Sequence, residues 1–246
     1  MTTTSILRMI STFLRSSSRY PLGEGRVEIR FTDAADPDFA VGAAPEGPQY
    51  CWSHFTAHPC TWLHQVHGRR VVRVDSPGQH AGALADAAIT AVTGAAVAVV
   101  VADCAPVALI GPGVVGVVHG GWRGLEAGVL GVAVAKMRQI ASGPISARLG
   151  PCIHGECYEF GRGDLDRLVR RFGPSVQTRT RWGTPALDLP EVVRLELRRH
   201  GVALEKPRPG EDRCTACGPG LWSFRARGDR QRQGVVAWIE PALGES

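Results

Sequence analysis

The sequence predicts an α+β protein: a mixed, largely antiparallel β-sheet sandwich flanked by helices in a single domain. Short β-branched runs follow one another through the first half of the chain with only turn residues between them. This spacing is too tight for the crossover helices that parallel strands require. Three later segments show the apolar spacing of amphipathic helices. At 246 residues, 44% of them hydrophobic, the chain is long enough to bury a full core.

The strands are predicted from alternating side chains or from short apolar runs. Residues 27–32 alternate as a first strand does, and residues 33–59 are rich in Ala, Pro, Gly and Asp and predict a loop region. Further strands are expected at 70–74, 87–92, 96–102, 106–110, 114–118, 145–149, 221–227 and 234–239.

The helices are predicted from the positions of their apolar residues. The longest is expected over residues 125–141, opened by Gly124, with Leu125 and Val129 on its apolar face. Two more are expected near 163–172 and 190–200, the second with Pro190 in its first turn, where proline is favoured.

Charge and composition exclude several classes of protein. Residues 1–20 hold three arginines and no acidic residue, whereas the remaining chain carries 25 basic and 23 acidic residues. A nucleic-acid-binding domain concentrates basic charge on its folded part, so we expect no nucleic-acid partner. No apolar run reaches 18 residues, so we expect no membrane partner either. The sequence does not indicate an oligomeric state.

The domain boundary and the compartment follow from the same inventory. Residues 1–20 carry no motif, and we interpret them as a disordered, dispensable extension of a domain at 21–246. The seven cysteines form an odd set without the density of a secreted disulfide scaffold. Reduced thiols in a cytoplasmic protein are therefore expected.

Three short motifs place a residue that can bind metal beside an apolar run. His67 stands in Gln-Val-His-Gly before the 70–74 strand, Cys104 follows the 96–102 strand in Ala-Asp-Cys, and His119 follows the 114–118 strand. Each residue alone is ordinary, and their spacing excludes a local zinc finger. Together they predict three ligands at a sheet edge with an open fourth position, as in catalytic zinc sites.

Asp103 and Arg123, which lie beside these motifs, are candidate catalytic residues, and Arg123 and Arg225 are candidates for binding substrate. Arg123 follows two glycines and a tryptophan at the start of a helix, a setting that suits phosphate, and Arg225 is a second candidate for the anion. Asp103 could orient a ligand, move a proton or serve structure alone. His64 is interpreted as a residue outside the ligand set, on the surface or beside the ligands.

The remaining cysteines give a weaker signal. Cys214 and Cys217 form a single Cys-x-x-Cys motif, for which no second pair of comparable spacing exists, and no thioredoxin-like context surrounds it. Cys152 and Cys157 bracket a Gly/Pro-rich turn, interpreted as a rigid active-site loop and not as a pair of ligands.

Taken in order, the motifs resemble a known family. Gln-Val-His-Gly, Ala-Asp-Cys-x-Pro-Val, His-x-Gly-Trp-Arg-Gly, Leu-Gly-Pro-x-Ile, Cys-Tyr-Glu-x-Gly, Asp-Arg-Cys-Thr and Ser-aromatic-Arg occur between about residues 62 and 239. They are similar to those of the laccase-domain (YfiH-like) proteins, once called multicopper polyphenol oxidases and now regarded as purine nucleoside phosphorylases. The family's N-terminal Thr-x-Arg-x-Gly-Gly-Val-Ser segment is not found, and its C-terminal Gly-Arg stands as Gln231-Arg232.

The resemblance implies a fold, a metal and an activity. It implies an α/β sandwich like the catalytic domain of cytotoxic necrotising factor toxins, with zinc, in preference to copper, on His67, Cys104 and His119. The implied partners are phosphate and the nucleosides adenosine, inosine, guanosine and methylthioadenosine. Adenosine deamination is implied as a possible second activity, for which zinc would activate water.

Three alternatives stay open at this stage. A copper-dependent polyphenol oxidase would require many closely spaced histidines, and the chain has eight, mostly unpaired. A Cys–His hydrolase or amidase would use Cys104 as nucleophile and His119 as base. A relative that has lost catalysis and acts through partners is suggested by the missing N-terminal motif.

Overall fold

In the computed structural model, residues 20–22, 25–43 and 48–241 are described. The strands are β1 (Tyr20–Leu22), β2 (Gly25–Phe31), β3 (Cys60–Thr61), β4 (Leu63–His64), β5 (Val71–Val74), β6 (Ala83–Leu84), β7 (Ala87–Thr90), β8 (Ala96–Val101), β9 (Ala105–Gly111), β10 (Val114–Gly120), β11 (Ser146–Leu149), β12 (Gln177–Arg179), β13 (Pro185–Leu187), β14 (Ala203–Leu204) and β15 (Gln233–Pro241). The helices are α1 (Pro48–Trp52), α2 (Trp122–Ala127), α3 (Val129–Ile140), α4 (Arg162–Phe172), α5 (Leu189–Arg199) and α6 (Phe224–Arg227).

Two large mixed sheets form the sandwich that the sequence predicts. The five-stranded sheet has the order β1-β2-β15-β8-β3, and the six-stranded sheet has the order β14-β11-β9-β10-β7-β5. Most pairs are antiparallel, whereas β3 with β8, β5 with β7 and β11 with β14 are parallel. The predicted fold class is confirmed.

The six-stranded sheet is buried on both faces, which explains its nearly continuous apolar strands. Along β9, Ala108 and Ile110 pack against the five-stranded sheet, while Val107 and Leu109 face the layer formed by α2 to α5. The outer face of the five-stranded sheet packs against Phe39 and Trp52. Among its described residues, the loop region predicted for residues 33–59 contains the short helix α1, which helps to cover this face.

The helix predicted over residues 125–141 is wrong in two details. Helix α2 begins at Trp122 and not after Gly124, and the chain breaks at Gly128 before α3. Gly128 adopts φ +87°, the left-handed conformation that glycine enters without a Cβ clash. Its backbone N–H closes α2 on the carbonyls of Gly124 and Leu125. The apolar spacing continues across the break, so the pattern alone does not reveal it.

The strand predicted at 221–227 is also wrong, because residues 224–227 form helix α6. Ser223 caps this helix by accepting a hydrogen bond from the Ala226 N–H. The other predicted strands and helices are present, with ends that shift by one or two residues.

Two sequence predictions concern the outer limits of the chain. The extension predicted over residues 1–20 lies outside the described residues except for Tyr20, which begins β1, so its dispensability stays a prediction. Within the described ranges, none of the helices combines the length and apolar composition that crossing a bilayer requires.

Candidate metal centre

The three ligands predicted from the sequence meet at one corner of the sandwich. His67, Cys104 and His119 each offer one ligand atom, and these atoms lie within 4.8 Å of one another. The Cys104 Sγ is 3.8 Å from the His67 Nε2. The two imidazole rings are nearly perpendicular, with centroids 4.7 Å apart.

Strand register brings Cys104 and His119 together. The chain leaves β8 in one sheet, turns through residues 102–104 and enters β9 in the other. Strands β9 and β10 pair so that His119 lies opposite Pro106, two residues after Cys104. One face of this hairpin end therefore carries both ligands.

His67 reaches the same corner from the loop between β4 and β5. Its backbone has φ +58°, a left-handed conformation that is uncommon for a residue other than glycine. The preceding Gln65 fixes the loop, because its side-chain amide bonds to both the N–H and the carbonyl of Val100 in β8, at 2.8 and 2.7 Å. The Gln-Val-His-Gly motif thus attaches the loop of His67 to strand β8, which leads to Cys104.

Asp86 positions both histidines through hydrogen bonds and is not among the site residues predicted from the sequence. Its carboxylate is fully buried and accepts hydrogen bonds from the backbone N–H groups of Val66, His67 and Gly68, at 3.3, 2.8 and 2.7 Å. It also lies 2.9 Å from the His119 Nδ1. Because Nδ1 donates to Asp86, Nε2 of His119 is left as the ligand atom.

The electrostatics of the group favour a thiolate beside charged or metal-bound imidazoles. Burial would raise the pKa of Cys104, but the charge of His119 and hydrogen bonds from His119 and His67 lower it to about 6. Burial would lower the pKa of His119, but the thiolate and Asp86 raise it to about 9. Burial would raise the pKa of Asp86, but hydrogen bonds from the His119 ring and from the Gly68 and His67 backbone hold it below its usual value.

These residues fit a zinc ion. Two ligands on one tetrahedral zinc, one sulfur and one nitrogen, are about 3.6 Å apart, close to the 3.8 Å between Cys104 and His67. One thiolate and two imidazoles form a three-ligand set that leaves the fourth position to water or substrate, as in catalytic zinc sites. The half-buried Cys104 and exposed His67 open the group toward a cavity.

Gly121 is required by the packing of the two imidazoles. A Cβ on Gly121 would lie 2.6 Å from the His67 Cδ2 and 3.3 Å from the His119 Cε1. The second glycine of the His-Gly-Gly-Trp motif therefore leaves the space that His67 occupies.

The cavity beside the ligands has a volume of about 750 Å³ and a strongly positive wall. Arg123, Arg225, Arg230 and Arg232 line it. Asp103 is the one acidic residue among the lining residues in the described part of the chain. This wall suits an anionic ligand.

Both arginines predicted to bind the anion lie at this cavity, and neither is ion-paired within the described ranges. The Arg123 guanidinium stacks 4.1 Å from the centre of the Trp122 ring. The Arg225 guanidinium lies 5.0 Å from the centre of the Tyr158 ring and donates to the Glu159 carbonyl. Their remaining N–H groups are available to a ligand.

Asp103 has a positioning role in this arrangement. Its carboxylate accepts hydrogen bonds from the hydroxyls of Thr215 and Ser223, both at 2.6 Å, and from the Arg225 N–H at 2.7 Å. Its backbone has φ +97° at the corner between the two sheets. Asp103, which directly precedes Cys104, therefore ties the segment that carries Arg225 to the turn between β8 and β9. These bonds support a structural role for Asp103, and its catalytic role stays a prediction.

Aromatic side chains line the same cavity. Phe224 is 60% exposed and stands at the cavity beside Tyr158 and Trp122. His64, placed outside the ligand set, also lines the cavity and packs edge-on against Trp62. An exposed phenylalanine at a cavity mouth offers a face for a planar ring.

Comparison with known proteins shows the family of this chain. The family model described as multi-copper polyphenol oxidoreductase laccase matches residues 49–240, and the chain belongs to this family. Curated relatives named purine nucleoside phosphorylase include one from Streptomyces coelicolor, 38% identical over 73% of this chain and 74% of the relative. Another, from Xylella fastidiosa, is 38% identical over 72% of this chain and 71% of the relative.

Solved structures share the fold. The hypothetical protein YfiH from Bacillus licheniformis aligns with a TM-score of 0.73 at 21% identity, over 86% of this chain and 92% of that one. YlmD from Geobacillus stearothermophilus aligns with a TM-score of 0.68 at 25% identity, over 90% and 93% of the two chains.

The packing predicts that Gly121→Ala disturbs the metal centre. Its methyl group would displace the His67 ring, so we expect the affinity for zinc to fall at least about 10-fold, the low end for disturbed ligand orientation. Competition with a chromophoric chelator measures this affinity. Gly163→Ala is the matched control, because a Cβ at Gly163 meets nothing within 4 Å. Equal affinity in both variants would contradict the packing argument.

The hydrogen bonds of Asp86 predict that Asp86→Asn weakens the metal centre without removing a ligand. An amide cannot accept from three N–H groups and His119 as a carboxylate does, so we expect zinc affinity to fall about 10- to 100-fold. The control is Asp75→Asn at the exposed pair with Arg73. If Asp86→Asn binds zinc as tightly as the wild type, Asp86 does not position the histidines.

Proposed function

We propose that this protein is a zinc-dependent purine nucleoside phosphorylase. The observation that carries the proposal is the juxtaposition of a three-ligand metal centre with an arginine-lined cavity. The volume of about 750 Å³ lies in the range of small-molecule sites. The names of the curated relatives support the same reaction.

Phosphorolysis moves one group between two partners. A phosphate oxygen attacks the anomeric carbon while the bond to the purine nitrogen breaks, and the departing purine takes the electron pair and then a proton. The sugar passes through an oxocarbenium-like state, as in glycoside cleavage. The protein must hold phosphate beside the sugar and orient the purine.

The cavity residues divide these tasks. Arg123 and Arg225 would bind phosphate through planar, paired N–H donors. Phe224 would stack on the purine ring. Asp103, next to Cys104, accepts hydrogen bonds from Thr215 and from the backbone N–H of Arg225 and so positions the start of helix α6. Zinc held by His67, Cys104 and His119 would supply Lewis-acid polarisation of a bound oxygen.

Adenosine deamination is a second activity that stays a prediction for the same centre. It would use water in place of phosphate, so the arginine wall has no direct role in it. This difference separates the two activities experimentally.

A Cys–His hydrolase is a second candidate, favoured by one observation. The Cys104 thiol lies beside two imidazoles, and its pKa is lowered to about 6, as a nucleophilic thiolate requires. Covalent acyl transfer to Cys104 without bound metal would support this candidate over the phosphorylase.

Purified, metal-quantified protein with a panel of nucleosides tests the proposed function. We expect base release from purine nucleosides that depends on phosphate and yields the sugar 1-phosphate. Cys104→Ser is expected to lose the zinc held at this centre together with the activity, because thiolate is the softest ligand of the three. Full zinc occupancy of the three-ligand centre in Cys104→Ser would refute the ligand assignment. Phosphate-independent base release would refute the phosphorylase.

Arg123→Lys tests the phosphate site. Lysine keeps the charge but loses the two-pronged donor, so we expect KM for phosphate to rise about 10- to 100-fold, corresponding to roughly 1.5–3 kcal/mol. Zinc content should not change, and any deamination should be much less affected. Arg73→Lys is a control, because Arg73 pairs with Asp75 on the surface and lies outside the cavity lining. An unchanged phosphate dependence, or parallel loss of both activities, would contradict this role.

A further inference from the structure

A second group of metal-binding side chains lies apart from the three-ligand centre. Glu156, Cys157, Cys214 and Cys217 each offer one ligand atom, and these atoms lie within 4.8 Å of one another. The sequence contains no second pair of cysteines with the spacing of Cys214 and Cys217. The structure supplies Cys157 and Glu156 from a distant turn instead. We propose that these four residues bind a second zinc ion with a structural role.

The chain builds this group from two segments. Cys157 ends the 3-10 turn Gly155–Cys157, and Glu156 precedes it. Cys214 reaches the turn because its backbone pairs with Cys152. The Thr215 N–H donates to the Cys152 carbonyl at 3.0 Å. The Cys-x-x-Cys loop then folds back, bringing Cys217 to the same point.

Backbone groups around Cys214 favour a metal-bound thiolate. The N–H groups of His154, Ala216 and Cys217 are directed at the Cys214 sulfur, with His154 at 3.4 Å. Converging N–H donors stabilise negative charge on sulfur. A loop that surrounds a metal-bound thiolate stabilises it with backbone N–H groups in this way.

Charge around the group is also suited to several thiolates. The Arg181 guanidinium lies 2.7 Å from the Cys157 sulfur and also donates to Cys217. It would offset the negative charge of three thiolates and a carboxylate on one divalent ion. Glu156 completes the set, with an oxygen 3.9 Å from the Cys217 sulfur. His154 faces the same carboxylate, with Nδ1 at 3.9 Å.

Four ligands around one point predict a closed tetrahedral site, which is typical of structural zinc. A disulfide would use two of the three sulfurs and would leave the third and the carboxylate without a function.

The proposed zinc would fasten the wall of the cavity. The Cys-x-x-Cys loop contains Thr215, which donates to Asp103 beside Cys104. Arg227 of α6 donates to the carbonyls of Thr215 and Ala216, so the loop also positions the helix that carries Phe224 and Arg225. Loss of the second zinc should lower the melting temperature and weaken substrate binding while the first centre keeps its metal.

Zinc stoichiometry tests the proposal. The wild-type protein should hold about two zinc ions per chain, Cys104→Ser about one, and Cys217→Ser about one. The double variant should hold none. Cys217 is exposed, so its replacement by serine should not prevent folding. Cys60→Ala, in strand β3 and outside both groups, should retain both ions and serves as the control for loss of a cysteine.

Cobalt substitution identifies the ligands without an activity assay. In Cys104→Ser, cobalt at the second site should show sulfur-to-metal charge transfer from three thiolates, and adding Cys217→Ser should abolish this absorption, because the double variant is expected to hold no metal. Glu156→Gln should weaken binding while the three-thiolate spectrum persists.

Three results would overturn the proposal. The first is a wild-type protein with one zinc per chain, all of it lost in Cys104→Ser. The second is full second-site zinc in Cys217→Ser. The third is thiol titration of the unfolded, unreduced chain that finds five of its seven thiols, with a disulfide among these cysteines. None of these results bears on phosphorolysis, so the proposed function stands or falls separately.

Discussion

The hydrogen bonds of the buried Asp86 carboxylate are the interactions on which the candidate metal centre depends. Strand β7 begins directly after Asp86, and β10 pairs with it so that Val118 lies opposite Ala87. The His119 N–H therefore donates to the Asp86 carbonyl at 2.8 Å, while the side chain of Asp86 orients the His119 ring. A buried charge is costly unless it is fully hydrogen-bonded. The His67 loop supplies the remaining donors, so folding this corner places both histidines at once.

A second carboxylate, that of Asp103, positions other residues of the cavity lining. Asp103 lies where the chain crosses from β8 to β9, and its hydrogen bonds hold Thr215, Ser223 and Arg225. Four arginines line the cavity against one acidic residue, Asp103, so positive charge predominates among the described lining residues. The hydrogen bonds of Asp103 position the segment that carries Arg225, which supports an anionic ligand in this cavity.

The sequence predicted what depends on short segments and missed what depends on tertiary pairing. The strands and the ligands His67, Cys104 and His119 follow from apolar runs and from the residues at their ends. Asp86 precedes an apolar strand like any surface acid, and the register that buries it is non-local. The break at Gly128 was hidden because apolar spacing continues through it. The sequence alone could not show that the sulfurs of Cys157 and Cys214 lie close together, because only the tertiary fold brings these two segments into contact.

The sequence differs from the family's C-terminal Gly-Arg at the first of these two positions, but the arginine still lines the cavity. Gln231 replaces the glycine, yet Arg232 still lines the cavity, and its guanidinium donates to the carbonyls of Asp229, Arg230 and Gln231. These bonds fix the arginine against its own turn and keep its charge near Arg123 and Arg225. The absent N-terminal Thr-x-Arg motif therefore does not leave the cavity without positive charge. An arginine wall built from residues after Asp103 supports binding of an anion on this chain's own residues.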